Sequence, residues 1–448
     1  MAGDQGVPPG ARGLAMPRVR QGTRLPSAHG FVWITLIAMA LVPRLLVIFF
    51  LMAGRSPETY EYEAIAQNLL AGKGYVYSNL GTDYFSFHSA FPYVLLTAFV
   101  YTVSNHSQTA MLLVQCLTTG TLVLVINSLG RRVGGHSVGW LAGALVAFHP
   151  GLLYYDTHKL HPLSLDALLI AAATLALFRL MTAASIPRYA AAGLLSGSAL
   201  LERGSFILAI VVSVVVMFWI VRDKTIAIRG LIVFLLCGSF LVGPWVVRNF
   251  LRHGVPVLMT LTGEHLWRGN NPNATGSSLT RDGIPMIETA DAVFREKLLG
   301  LDEIGQMRLF METGARYISE HPWRFIWNVA KRLFYFAWFS PTTGVLYPPL
   351  YLLVYQAYYA TMLLAAGLGG FYLGRRSHAG GRAPWIAPAL LAGVWISVGL
   401  TQSIFYVELR HRWGVEGLML VMSAAGIILS AHLVRTGWRT VSAGLAKA

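Results

Sequence analysis

Residues 31–53 read FVWITLIAMALVPRLLVIFFLMA, and shortly after them stand Glu58-Thr59-Tyr60-Glu61-Tyr62-Glu63. The first stretch is long enough to cross a bilayer, which takes about 20 apolar residues as a helix. Runs of that length recur along all 448 residues, of which 55% are hydrophobic and 12% charged, with a mean hydropathy of +0.55. A soluble chain carries about twice that charge. The reading is an all-α polytopic membrane protein with no soluble domain standing apart from the helices. The second stretch sets three carboxylates at the membrane edge, where they lose hydration and need a reason. An ordinary polar loop with an aromatic belt explains them equally well by position alone.

The two cysteines, Cys116 and Cys237, fall inside apolar runs and read as small core residues, not a disulfide or metal pair. The formal charge of +15 does not require nucleic acid, because Lys and Arg in cytoplasmic loops give the same excess and no basic-aromatic groove pattern is present. Residues 1–30 hold Arg12, Arg18, Arg20 and Arg24 against Asp4, with four prolines and no periodicity. They read as a disordered basic cytoplasmic tail, and the run after them is too long for a signal peptide.

Ten spans are expected, near 31–53, 109–129, 137–154, 163–183, 190–204, 205–222, 230–247, 347–372, 385–405 and 414–434. Hydropathy alone adds 89–104 and 325–339. With those two excluded, Arg131-Arg132, Arg188, Arg222 with Lys224, Arg375-Arg376 and Arg435 all fall on the cytoplasmic side with both termini. Segments 86–105 and 323–339 are therefore expected to lie in the outer interface. The organisation that follows is a tail 1–30, a transmembrane core 31–247 with a first outer loop 54–107, an extracytoplasmic segment 248–346, C-terminal helices 347–434 and a tail 435–448. The long segment carries helical patterns near 289–300 and 302–319. The first loop, the turn Asp156-Thr157-His158-Lys159-Leu160-His161-Pro162, the segment 248–346 and the turn Glu408-Leu409-Arg410-His411-Arg412 then share the outer face. Nucleotides are cytoplasmic, so chemistry there needs an activated substrate carried across the membrane, and a lipid-linked one fits.

Several separated stretches resemble the bacterial branch of the dolichyl-phosphate-mannose-protein mannosyltransferase superfamily, the GT-C glycosyltransferases that include the lipid A aminoarabinose transferase. They are Glu58-Thr59-Tyr60-Glu61-Tyr62 with Ile65-Ala66, Asn68-Leu69-Leu70 and Gly74-Tyr75; then Pro244-Trp245-Val246-Val247-Arg248-Asn249; then Leu266-Trp267-Arg268-Gly269-Asn270-Asn271-Pro272-Asn273-Ala274-Thr275-Gly276; then His321-Pro322 and Arg410-His411-Arg412. The likeness runs in consistent order from about residue 40 to 430.

The resemblance implies a GT-C helix bundle that moves a sugar from a polyprenyl-phosphate donor to a protein, lipid A or glycan acceptor at the outer face of a bacterial inner membrane. It gives the catalytic carboxylate to Glu58, with Glu61 second; on a helix Glu58 would share a face with Glu61 and Tyr62. Burial at the membrane edge would raise that carboxylate's pKa and improve it as a base. Plain solvation on a helix face also accounts for Glu61 and Glu63. Arg203, Arg248, Arg410, Arg412 and Lys159 are the candidate cations for the departing phosphate; interface anchoring explains each of the arginines as well, and Glu202 is placed to pair with Arg203. Tyr62, His88, Asp156, His161, Asn270 and Asn271 are the candidate substrate contacts, although Gly269-Asn270-Asn271-Pro272 also reads simply as a turn. Relatives often carry an acid where His161 stands. A divalent ion shared by His161, Asp156 and Glu58 stays open, on three scattered ligands. A transporter or flippase of a lipid-linked or small solute is the alternative, but the repeat symmetry it predicts is not visible. A GT-C-like scaffold without activity is a third reading.

Overall fold

The structure is a computed structural model that describes residues 27–376 and 385–445, with side chains over 30–375 and 385–435. Most of the expected N-terminal tail lies outside it. Helix α1 (Ser27–Leu46) passes into a π-helical turn at Val47–Leu51; α2 (Glu61–Leu70), the hairpin β1 (Tyr77–Asn79) and β2 (Thr82–Tyr84), and α3 (Phe91–Ser104) follow. Then come α4 (Gln108–Gly134), α5 (His136–Ala147), α6 (Pro150–His158), α7 (Leu163–Thr182), α8 (Ile186–Glu202), α9 (Ile207–Ile220) and α10 (Lys224–His253). The polar segment holds α11 (Thr262–Gly269), α12 (Ala292–Leu299), α13 (Glu303–Glu320), α14 (Pro322–Ala337) and α15 (Thr343–Leu346), and α16 (Pro349–Arg376), α17 (Ile386–Ile404) and α18 (Leu409–Leu445) complete the bundle. The two-stranded hairpin was not expected in an all-α chain.

Every expected span is helical, but their lengths differ. Seven described helices are long and apolar enough to cross a membrane: α1 with its π turn, α4, α7, α10, α16, α17 and α18. An eighth, α5 with α6, is bent by 43°. Helices α8 and α9 have only 17 and 14 residues. The chain is thus a multi-span membrane protein in which seven described helices, or eight with the bent pair, have the length and composition of a crossing, against ten expected. Phe31, Ile34 and Phe50 on α1, like Phe240 and Leu251 on α10, are among the most exposed apolar side chains, as a lipid-facing surface requires.

The bend has a cause. Pro150 has no N–H to continue the helical ladder, α5 ends at Ala147 and His149 is extended, so the carbonyl of Ala147 is left for another donor. Arg44, fully buried on α1, supplies it at 2.8 Å through Nη1, while its Nε donates to Asp156 at 2.7 Å. Elsewhere the helices close through small residues, the usual device where lipid removes most hydrophobic drive. On α16 and α18, a side chain at Gly369 or Gly426 would strike the carbonyl of Met422 or Ala365.

Both doubtful segments form short helices, 14 residues in α3 and 16 in α14, against about 20 for a crossing. Tyr93 near the start of α3 donates its N–H to Glu202 at 3.1 Å, and Tyr101 near its end donates to Glu63 at 2.5 Å, tying α3 to α8 and α2. Arg324 at the start of α14 reaches the carbonyl of Pro272, and Arg332 further along donates to Gly269 and Phe405. Trp323 and Trp327 project outward from α14, as the interfacial reading expects.

Candidate active site

The ends of many helices converge on one cavity of about 570 Å³. Its wall takes residues from the start of α2, the loop before α3, the α6–α7 turn, the α8–α9 junction, α11 and the α17–α18 junction. Charge is concentrated there: Glu61, Asp166, Glu202 and Glu264 face Arg203, Arg268 and Arg410, with His88, His161, His265 and His411 among them.

The three acids of the first loop take three different places. Glu58 precedes α2, so the expected shared helical face with Glu61 and Tyr62 does not form. Its backbone instead bridges the α6–α7 turn: Glu58 N donates to His158 O at 2.8 Å and Leu160 N donates to Glu58 O at 2.9 Å. That pairing brings Lys159 Nζ to 2.8 Å from the Glu58 carboxylate, which also accepts from Tyr60 Oη at 2.6 Å. The Glu58 side chain is 56% exposed; Tyr60, which it holds, lines the cavity. Glu61 opens α2 and lines the cavity itself, with His88 Nε2 2.6 Å from Oε1. Glu63 turns the other way, is buried, and accepts from Tyr101 and Gln108, tying α2 to α3 and α4. Simple solvation therefore fails as a description of Glu61 and Glu63.

The electrostatics reverse one expectation. Burial does push Glu58 up, but Lys159 and Tyr60 outweigh it and the pKa falls below the usual glutamate value. Glu61 behaves alike: burial raises it, His88 more than compensates, and the result is lowered. Arg410 adds to the lowering at both. Both acids are ionised at neutral pH. His161 goes the other way; burial first, then Arg410, Arg203 and Lys159, push it well below the ordinary histidine value and keep it neutral.

Of the candidate phosphate cations, Arg203 and Arg410 line the cavity, paired with Asp166 and Glu408 respectively. Arg203 does not pair with its neighbour Glu202. Lys159 stands beside the cavity on Glu58. Arg248 does not reach it: the guanidinium is spent on Phe85 O, Ser86 and Asn249 and stacks on Trp245. Arg412 is fully buried elsewhere, bonded to Glu416 at 2.6 Å and to Trp338 O at 2.5 Å and lying 3.6 Å from the Tyr359 ring centroid. Its surroundings are those of a structural ion pair.

Of the candidate substrate contacts, Tyr62, His88 and His161 line the cavity, with Tyr62 stacked on His88 at 4.8 Å. Asp156 is withdrawn into the bundle, accepting from Arg44 and from Thr119 at 2.7 Å. That removes it from any shared ion site, and no group of three His, Cys, Asp or Glu side chains suited to a metal occurs among the described residues. Asn270 and Asn271 serve the turn: Asn270 donates to Leu266 O and Ile404 O, Asn271 to Trp267 O, and Arg332 braces Gly269. Just before the motif and at its start, α11 presents Glu264, His265 and Arg268 to the cavity. The Pro244–Asn249 motif is likewise a clamp: Trp245 donates to Leu258 O at 2.8 Å and Asn249 to Val257 O at 2.9 Å, beneath the first loop.

The family of dolichyl-phosphate-mannose-protein mannosyltransferases matches residues 89–247, well under half of the chain. No curated protein matches the sequence. Among solved structures, the archaeal oligosaccharyltransferase AglB from Archaeoglobus fulgidus, in complex with an inhibitory peptide and a dolichol-phosphate, superposes with a TM-score of 0.53 at 12% identity, over 92% of this chain and 52% of that one. The Archaeoglobus fulgidus oligosaccharyltransferase tethered to an acceptor peptide gives 0.52 at 14% identity, over 92% and 51%. ArnT from Cupriavidus metallidurans, bound to undecaprenyl phosphate, gives 0.38 at 15%, over 89% and 78%. The fold is similar to that of the two oligosaccharyltransferases, and the matched segment is similar to the mannosyltransferase family. It spans about half the length of the oligosaccharyltransferases it resembles.

Proposed function

We propose that this protein is a membrane glycosyltransferase that moves a sugar from a polyprenyl-phosphate donor to an acceptor at the extracytoplasmic face of a bacterial cytoplasmic membrane, with both termini inside. The observation that carries the reading is the convergence of the first-loop acid Glu61, Tyr60 held by Glu58, and the guanidinium groups of Arg203 and Arg410 on one cavity among the helix ends. Such a place accepts a lipid whose tail stays in the bilayer and whose head enters a polar pocket. The dolichol-phosphate in the similar oligosaccharyltransferase structure belongs to that lipid class.

Arg203 and Arg410 hold the phosphate, as guanidinium forks suit its oxygens. Glu58, ionised beside Lys159 and half open to solvent, takes the proton from the acceptor hydroxyl or amine. The acceptor atom then bonds to the anomeric carbon, the bond from that carbon to the phosphate oxygen breaks, and its electron pair leaves with the polyprenyl phosphate. A single displacement of this kind inverts the anomeric centre. Glu61, fixed by His88, orients groups within the cavity. The test is purified protein in nanodiscs with undecaprenyl phosphate carrying a radiolabelled sugar. Label leaving the lipid supports transfer; label crossing the bilayer on intact lipid supports a transporter instead.

A further inference from the structure

One stretch of the cavity wall carries more acceptors than its neighbours satisfy. Glu202 and Asp166 are each about nineteen-twentieths buried, at 5% and 4% exposure, and both line the cavity. One guanidinium, Arg203, serves them, and it bonds Asp166. Glu202 Oε2 accepts only the backbone N–H of Tyr93, while Glu202 Oε1 and Asp166 Oδ1 have no partner. His161 Nδ1, on the same wall and nine-tenths buried, has none either. The other acids of the cavity are matched: Glu61 by His88 and Glu264 by Arg268. Buried polar atoms without partners are costly, of the order of 1–3 kcal/mol each, so a ligand that satisfies them gains by binding.

We propose that Glu202, Asp166 and His161 form the seat of the transferred sugar, and that this seat takes a neutral or amino sugar and rejects a uronic acid. The inference rests on the donor reading above, which puts the phosphate on Arg203. The anomeric carbon is bonded to that phosphate, so the sugar ring must lie within a residue or two of Arg203, and Glu202 is adjacent to it in the chain. The unpartnered oxygens Glu202 Oε1 and Asp166 Oδ1 match hydroxyl or ammonium donors of a sugar. A sugar carboxylate would add a third acid to a wall that already crowds two acids around one guanidinium. Neutral His161 can accept from or donate to a ring hydroxyl.

The experiment uses the full chain in nanodiscs and compares binding of undecaprenyl phosphate alone with undecaprenyl phosphate carrying a neutral hexose, an amino sugar or a uronic acid, by native mass spectrometry. Wild type should bind the neutral or amino form at least about tenfold more tightly than the bare lipid, and the uronate form no better than the bare lipid. Glu202→Gln keeps an oxygen for Tyr93 and should erase that preference while bare-lipid affinity stays within about twofold, which also reports intact folding. A preference unchanged in Glu202→Gln, equal affinity of wild type for all four lipids, or a wild type that prefers the uronate overturns the seat. Failure of wild type to bind even the bare lipid overturns the donor reading on which it rests.

Discussion

Replacing Glu58 by Gln separates a chemical role from a structural one, because the two effects differ greatly in size. The carboxylate is 56% exposed and its partner is a single lysine, so the ion pair contributes only about 0.2–1 kcal/mol to stability. The backbone bridge to His158 and Leu160 does not involve the side chain and survives the change. Loss of a general base, in contrast, lowers turnover by about 10²–10⁴, equivalent to roughly 2.7–5.5 kcal/mol on the barrier. Glutamine keeps the shape and the hydrogen bond to Tyr60 but cannot take a proton at neutral pH. The assay is release of labelled sugar from undecaprenyl phosphate, with thermal stability measured in parallel. The expected pair of results is a melting temperature within a few degrees of wild type and turnover down by at least about 10². Full activity in Glu58→Gln would refute the assignment. A collapse confined to Glu61→Gln would move the base to the Glu61–His88 pair, which lines the cavity directly.

Lys159→Met removes a leading cause of the low Glu58 pKa and leaves burial, which raises it; the acid limb of the pH–rate profile should move to higher pH, and an unmoved limb would dissociate Glu58 from the rate. Arg203→Gln and Arg410→Gln should each weaken undecaprenyl phosphate binding by about tenfold or more, whereas Arg248→Gln should leave it within about twofold, read by titration in nanodiscs. Arg412→Leu strands Glu416 in the bundle with only His149 and Tyr355 for company, and should cost about 3–5 kcal/mol, seen as lost expression or a sharply lowered melting temperature. Gly426→Leu forces a side chain onto the Ala365 carbonyl between α16 and α18 and should destabilise by at least about 1–3 kcal/mol in the same measurement.

The bundle was legible because lipid-crossing helices must be long and apolar, a one-dimensional property. Segments 86–105 and 323–339, which the charge pattern kept out of the crossings, form helices of only 14 and 16 residues. Span boundaries were less legible: the bend at Pro150 and the shortness of α8 and α9 depend on which neighbours satisfy the freed backbone, as Arg44 does for Ala147. Of the residues that line the cavity, Glu61, Tyr62, His88, His161, Arg203 and Arg410 were singled out in the sequence. Asp156, Arg248 and Arg412 sat in equally plausible places, but their partners come from Arg44, the Phe85 carbonyl and Glu416. One of these had a local signal: Arg412 and Glu416 are four apart on a helix, the spacing of a self-contained pair. Asp166, Glu202, Glu264, His265 and Arg268 went unselected because their role is set by tertiary convergence that spacing along the chain does not encode.

The central claim is that a lipid phosphate sits between Arg203 and Arg410 with Glu58 and Glu61 near it. A cryo-EM structure of the protein in nanodiscs with undecaprenyl phosphate tests it most directly. The account predicts phosphate density within hydrogen-bond reach of both guanidinium groups and a lipid tail leaving between the helices. Phosphate density outside that cavity, or no lipid bound at saturating concentration, would contradict it.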